Sequence, residues 1–420
     1  VVFACDFSDS ASDYTAARIL KVWDAWTASQ PTIGVSDVDG GTIIRPTGLR
    51  KNVTASAARI VGWRFKTDQT AQVSGDVLLN FGTGVSTAHD FLTVDNQGRL
   101  RLECAAVTLG PSAVNTITVG TYYVVEVGVL ISNTVGRVEV KVNGVQVAAL
   151  TSIALGGSVS NTLDTQSGAT TTCGWVMLDS RTGLNWRQEV DWFWTAWDTT
   201  VWGSGNWLAS GAGALTKKNI RGKAGTAGNG VYNSGTGWAV GVGGPTLSDA
   251  TREAVCDEDT SYAFNGTVAG TAADRFCVKG EAMPTTVLNV KLMSHRSWVA
   301  APAEASGTFN QFLYEASGGT THDGSSTAGS TVTYGLAQTN HLVHPNAAPL
   351  TRALVNSTEM GVKLLTASGS LRSSTENLFV LYTSGTPPVD PPGTYFDSEN
   401  ACPIGSSFQA GLVRGQGVCA

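Results

Sequence analysis

The sequence predicts an all-β protein: two consecutive antiparallel β-sandwich domains, then a Pro-rich linker and a short C-terminal tail. Three observations carry that expectation. Charged residues make up only 14% of the 420 positions, against roughly 25% in an average globular chain, and Gly (49), Ser, Thr, Ala and Val fill the difference. Short runs of β-branched and aromatic residues recur between turn residues, which is the pattern of strands. One stretch, Gln188 to Asp198 (Q-E-V-D-W-F-W-T-A-W-D), has large apolar residues at both odd and even positions. A strand built that way is covered on both faces.

The length and a hydrophobic content of 42% suit two domains with real cores. The Trp-rich strand closes the first, so the expected division is 1–200, 201–385 and a tail over 386–420. Half of the twelve Trp lie between Trp186 and Trp207. Simple alternation puts Val190, Trp192 and Trp194 on one face of the strand, and Asp191, Phe193 and Thr195 on the other.

In chain order, Val1–Asp6 reads as a strand and Ala16–Trp26 as an amphipathic helical turn. Strands follow over Ile33–Ile44 (through D-V-D-G-G), Arg59–Phe65, Gln72–Phe81 and Phe91–Val94. Asp95-Asn96-Gln97-Gly98 turns the chain into Arg99–Cys104. Thr121–Leu150 is the clearest segment: T-Y-Y-V-V-E-V-G-V-L-I, then R-V-E-V-K-V with Val138, Val140 and Val142 alternating against Arg137, Glu139 and Lys141. Asn143-Gly144 supplies a two-residue hairpin turn whose positive φ angles both residues tolerate. The segment reads as a three-stranded meander.

Past the Trp strand, Trp202–Trp238 is a Gly/Asn/Thr-rich connection. Val287–Val299, Thr308–Glu315, Thr331–Leu336 and Leu378–Tyr382 read as strands, and Gly318–Ser330 as a flexible turn. Thr386–Pro392 (T-P-P-V-D-P-P) is a stiff, extended linker. Tyr395, Phe396, Phe408 and Leu412 then lie in a segment too short to bury them in a core of its own. That tail is expected to dock on a neighbouring subunit.

Y-Y-V-V-E-V, G-R-V-E-V-K-V-N-G-V-Q-V and the late D-W-F-W strand together resemble the laminin-G-like, concanavalin-type jelly roll. The resemblance implies that the first and last strands of that domain are neighbours, pairing Val1–Asp6 with Val190–Asp198. Over roughly residues 1–385 the chain also resembles large bacteriophage virion proteins. Pro245–Tyr262 and Ala272–Phe276 look like the entry to their second β domain, and Pro349–Leu365 like its closing strands. The implied role is structural: a tail-associated, fibre-like or head-decorating protein that packs against copies of itself and other virion proteins.

Chemistry-bearing residues are sparse. Glu189-Val190-Asp191 matches the start of E-x-D-x-x-E, the strand motif of laminarinase-type glycosidases. Such hydrolysis needs two carboxylates about 5–5.5 Å apart, and Trp194 stands where the third acidic position falls. No enzyme activity is therefore expected. Asp37 and Asp39 in D-V-D-G could ligate Ca²⁺, though without EF-hand spacing a solvated turn is the plainer reading, and no other cofactor is expected. His341 and His344 lie three apart without helical context or a nearby Cys, so no zinc site is read from them. His89 and His322 read as surface residues. Trp202 and Trp207, set in a Gly-rich stretch, are the candidates for an exposed or an interdomain contact; exposed, they could stack on a sugar ring, which would make the chain a lectin for a host-surface glycan. The seven Cys include no C-x-x-C and read as buried thiols, with only Cys402 and Cys419 placed for a bridge.

A net charge of −6 without any basic block argues against a nucleic-acid surface, and no apolar run is long enough to span a membrane. The N-terminus does not read as a signal peptide. The expected location is the virion, after synthesis in the host cytoplasm.

Overall fold

The computed structural model describes residues 4–10, 18–26, 31–35, 42–68, 75–84, 87–104, 108–152, 163–179, 188–198, 207–209, 213–223, 238–242, 251, 262–265, 275–300, 308–316, 319–328, 334–366 and 371–385. Asp37, Asp39, Trp202 and the whole linker and tail, including Tyr395, Phe396, Phe408 and Leu412, lie outside them.

The strands of the first half are β1 (Ala4–Asp9), β2 (Ala25–Trp26), β3 (Thr32–Val35), β4 (Thr42–Arg45), β5 (Leu49–Ser56), β6 (Ala58–Thr67), β7 (Asp76–Thr83) and β8 (Thr87–Val94). They continue as β9 (Leu100–Cys104), β10 (Thr108–Leu109), β11 (Tyr123–Leu130), β12 (Arg137–Val142), β13 (Val145–Gln146), β14 (Cys173–Leu178) and β15 (Gln188–Asp198). One sheet runs β13-β12-β11-β6-β15-β4-β3, with β1 also on β15; the facing sheet runs β10-β9-β8-β7-β14-β5-β2. All pairs are antiparallel, and the core between the sheets includes Phe7, Trp23, Trp63, Phe65, Phe81 and Phe193.

Local chemistry explains the hairpins. Asn143 (φ 50) and Gly144 (φ 77) make the tight β12–β13 turn that Asn-Gly predicts. At the β8–β9 turn the Asp95 carboxylate accepts the N–H groups of Gln97 (2.9 Å) and Arg99 (3.1 Å). Between Asp95 and Leu100, Gly98 has φ 67. The meander forms as expected, but β13 is only two residues long and hands over to a 3₁₀ turn at Ala148–Leu150. Among the described residues of the expected helical turn, Ile19–Val22 forms α1 and Ala25–Trp26 is strand β2.

β1 pairs antiparallel with β15, Ala4 opposite Trp197 and Asp9 opposite Phe193. The face assignment within β15 is corrected. Val190 pairs with Phe65 and Trp192 with Arg64, so Asp191 is an extra, bulged residue. A bulge resets the two-residue period: Val190 and Phe193 enter the first core, while Trp192 and Trp194 point to the opposite side.

In the second half the strands are β16 (Ala214–Arg221), β17 (Trp238–Val242), β18 (Tyr262–Asn265), β19 (Arg275–Lys279) and β20 (Val287–Ala300). β21 (Thr308–Glu315), β22 (Thr320–Ala328), β23 (Gly335–His341), β24 (Thr358–Thr366) and β25 (Leu371–Ser384) complete it. They form a sheet β17-β18-β25-β20-β23, with β16 on β25, and a second sheet β19-β24-β21-β22. Thr320–Ala328, expected as a flexible turn, is the edge strand β22. Pro349–Leu365 is not strand throughout, since α2 (Arg352–Ser357) precedes β24 and is capped by Thr351 Oγ1 accepting from Leu354 N.

The two sandwiches meet through a dry layer. Ile60, Val124, Trp192, Trp194 and Ala196 from the outer face of one sheet pack on Leu215, Leu292, Phe379 and Leu381 of the next, with Trp207, Leu208 and Ala209 packed between. Gly62 is required there, because a Cβ would overlap the Trp194 indole. Polar struts flank the layer. The fully buried Arg296 donates to Ser8 O (2.9 Å) and pairs with Asp9 (3.4 Å). Gln338 Nε2 donates to Ser8 Oγ (2.9 Å), and Lys217 reaches Asp191 (2.5 Å). Trp298, Ala300 and Tyr334 of the second half even join the first core.

Candidate functional site

The acidic motif on β15 is locked in ion pairs. Glu189 meets Arg45 (2.5 Å) and Lys66 (3.2 Å). Asp191, fully buried, sits between Arg64 and Lys217, each at 2.5 Å. Arg64 also lies over the Tyr122 ring, 4.3 Å from its centroid. Carboxylates so paired hold the strand to its neighbours. Trp207 takes the interdomain place, which corrects its reading as a sugar platform: it is 2% exposed, covered by the layer between the sandwiches and by Lys141, whose Nζ lies 4.3 Å from its ring centroid. No sugar can stack on it.

Glu126 closes the same region. Its Oε1 accepts the N–H groups of Leu208 (2.8 Å) and Ala209 (3.0 Å), tying the segment after β15 to the sheet. Burial pushes its carboxyl from 4.5 up to about 7, against the pull of those two N–H groups and of Lys141 and Lys291. Asp90 is pushed the same way by burial, from 3.8 to about 8, beside Cys104 and Asp164. A carboxyl whose folded pKa exceeds its unfolded one holds extra protons in the folded chain between the two values, so stability falls as pH rises through that window. For Glu126 the window is about 4.5 to 7, and the whole fall is on the order of 3 kcal/mol at about 1.4 kcal/mol per unit. Denaturant titrations from pH 4.5 to 8 should show this fall together with the fall of the same sign from Asp90, and Glu126→Gln, which mimics the protonated group, should remove only the Glu126 share.

Four of the chain's five histidines, His295, His322, His341 and His344, gather at one end of the second sandwich. His322 on β22, His344 in the loop after β23, and Glu315 at the end of β21 bring one ligand-type atom each within 4.8 Å of one another. The two imidazoles stand edge to face, centroids 5.3 Å apart at 85°, and His322 Nε2 lies 3.7 Å from Glu315 Oε2. Asn346 Nδ2 donates to that same oxygen at 3.0 Å. Both His344 nitrogens make only long contacts, with Asn346 N and Thr358 Oγ1, each at 3.4 Å. A cavity of about 60 Å³ opens beside His322, lined also by His295, Gln311, Asp323, Thr339 and His341. Burial, then the neighbouring His295, His344 and His322, lower His341 to about 4. Burial chiefly lowers His344, and His322 adds to it.

Behind the cavity lies a buried polar network. His295 Nε2 is 2.9 Å from Glu376 Oε2, and Ser297 Oγ donates to that same oxygen at 2.6 Å. Gln311 Nε2 donates to Ser297 Oγ (2.9 Å) and Thr339 Oγ1 to Gln311 Oε1 (2.8 Å). Ser, His and Glu are present, and Ser297 Oγ also lies 3.2 Å from His295 Nε2, but that same ring nitrogen faces the Glu376 carboxylate, so the three meet at one point instead of forming a relay from acid through base to nucleophile. All three side chains are buried. The network satisfies polar groups inside a sheet.

The sequence reading missed this end of the molecule. His322 is not a surface residue apart, and its side chain is 15% exposed; His344 is 2% exposed. His89 is likewise buried, at 2%, with its Nδ1 accepting from Ser167 N. Cys104, Cys173 and Cys277 are buried free thiols, as expected.

No family model matches the chain, and no curated protein matches it. Among solved structures, the cellulose-induced protein Cip1 is similar over 43% of this chain and 91% of its own, at 14% identity and a TM-score of 0.32. Domain 4 of AbnA, a GH43 extracellular arabinanase from Geobacillus stearothermophilus, in complex with arabinotriose, is similar over 47% of this chain and 95% of its own, at 13% identity and a TM-score of 0.29. Trypanosoma rangeli sialidase is similar over 42% of this chain and 32% of its own, at 14% identity and a TM-score of 0.26. Likenesses of this order carry no argument about this chain.

Proposed function

We propose that the chain is a non-enzymatic structural protein on the exterior of a bacteriophage particle, tail-associated, fibre-like or head-decorating. It works through its folded β surfaces, against copies of itself and other virion proteins. The virion assignment rests on the sequence resemblance over residues 1–385. The observation that supports a structural role is the layer between the sandwiches. There the aromatic strand and its carboxylates, the groups that hydrolysis or sugar stacking would use, are taken up by packing and ion pairs. The lectin alternative had rested on exposed indoles, and Trp207 is buried.

The test is an antibody raised against the full chain, used to label purified particles of the phage that encodes it. Labelling on the particle exterior, with no turnover across a panel of β-glucans, is expected. Unlabelled particles would overturn the virion reading. Saturable binding on a glycan array, or hydrolysis lost on Glu189→Gln, would replace it with the lectin or the hydrolase.

A further inference from the structure

We propose that Glu315, His322 and His344 bind one divalent transition-metal ion of the zinc class at the open end of the second sandwich. Two imidazoles and one carboxylate form a borderline donor set that suits Zn²⁺ and its neighbours and does not suit Ca²⁺ or Mg²⁺. The three groups come from the β21–β22 hairpin and the loop after β23, so one ion would clamp the edges of two different sheets.

The geometry is close to what an ion needs. In a tetrahedral site with bonds of about 2.0–2.1 Å, donor atoms sit about 3.3 Å apart. Here they lie within 4.8 Å, so rotamer adjustments of roughly 1–1.5 Å close the set. The imidazole of His322 is poised for it, since its Nε2 is buried without a hydrogen-bond partner. A buried imidazole nitrogen left in that state is unfavourable, and a metal bond would remove the cost. Asn346 Nδ2 already holds the Glu315 carboxylate at 3.0 Å, the kind of outer contact that orients a ligating carboxylate.

The experiment uses the full chain freed of metal with a chelator and titrated with Zn²⁺ alone by calorimetry. One ion per chain is expected, with a dissociation constant in the micromolar range or below. His322→Ala and Glu315→Gln should each weaken binding at least tenfold, while Asp323→Asn, an acidic cavity residue outside the set, changes it less than twofold. X-ray absorption at the zinc edge of the unmutated chain should show imidazole scattering from two histidines, which needs no variant to fold. No saturable binding, sulfur ligation, or equal weakening by Asp323→Asn would overturn the proposal. In each case the three side chains are then an ion pair and a ring contact with no bound ion.

Discussion

Replacing Trp194 with alanine should destabilise the full chain by about 3–5 kcal/mol, the range for deleting a large buried aromatic. The indole is fully buried in the layer between the sandwiches, pressed on Gly62 of β6. It is surrounded by Ile60, Leu292, Phe379 and Leu381 from both halves, which cannot collapse onto one another without moving whole sheets. Urea unfolding should therefore show a lower midpoint at an unchanged slope. Gly62→Val should have a comparable effect from the other side, by forcing the ring out of its slot. A loss below 1 kcal/mol for Trp194→Ala would mean that the two sheets do not meet through this side chain.

Asp191→Ala should be as damaging for a different reason. The carboxylate is fully buried between Arg64 and Lys217, whose side chains are 15% and 6% exposed. Removing it leaves two nearly buried cations facing each other, and breaking a buried pair from one side costs about 3–5 kcal/mol. Lys217 belongs to β16 of the second half and Asp191 to the first, so the effect also reports on their docking. Adding Lys217→Met should recover part of the loss, because it removes one of the stranded charges. If Asp191→Ala unfolds at the same denaturant concentration as the parent chain, or Lys217→Met only adds to the damage, the pair is not buried in solution.

What the residues revealed, and what they hid, follows from how local each feature is. The β11–β12–β13 meander and the Asp95–Gly98 turn are written in neighbouring residues, through alternation and turn chemistry, and both stand. The pairing of β1 with β15 spans almost two hundred positions and came from resemblance, since no spacing encodes it. The bulge at Asp191 left no trace because Trp192, Phe193 and Trp194 are apolar on both faces, so a slipped period reads the same. β22 was taken for a turn because T-T-H-D-G-S-S-T-A has no apolar alternation; as an edge strand it gains its order from β21. Trp207 was judged by its Gly and Asn neighbours, whereas its burial is imposed by the other half of the chain. Glu315, His322 and His344 come from separate segments and meet only when the sheets stack.

The central claim is that the two sandwiches are one mechanical body, joined by the layer around Trp192 and Trp194. Scanning calorimetry of the full chain tests it most directly. One transition whose calorimetric enthalpy equals the van't Hoff enthalpy is predicted, since separating the halves would expose the layer between them and strip Trp298, Ala300 and Tyr334 from the first core. Two resolved transitions, with one half melting while the other stays folded, would contradict it.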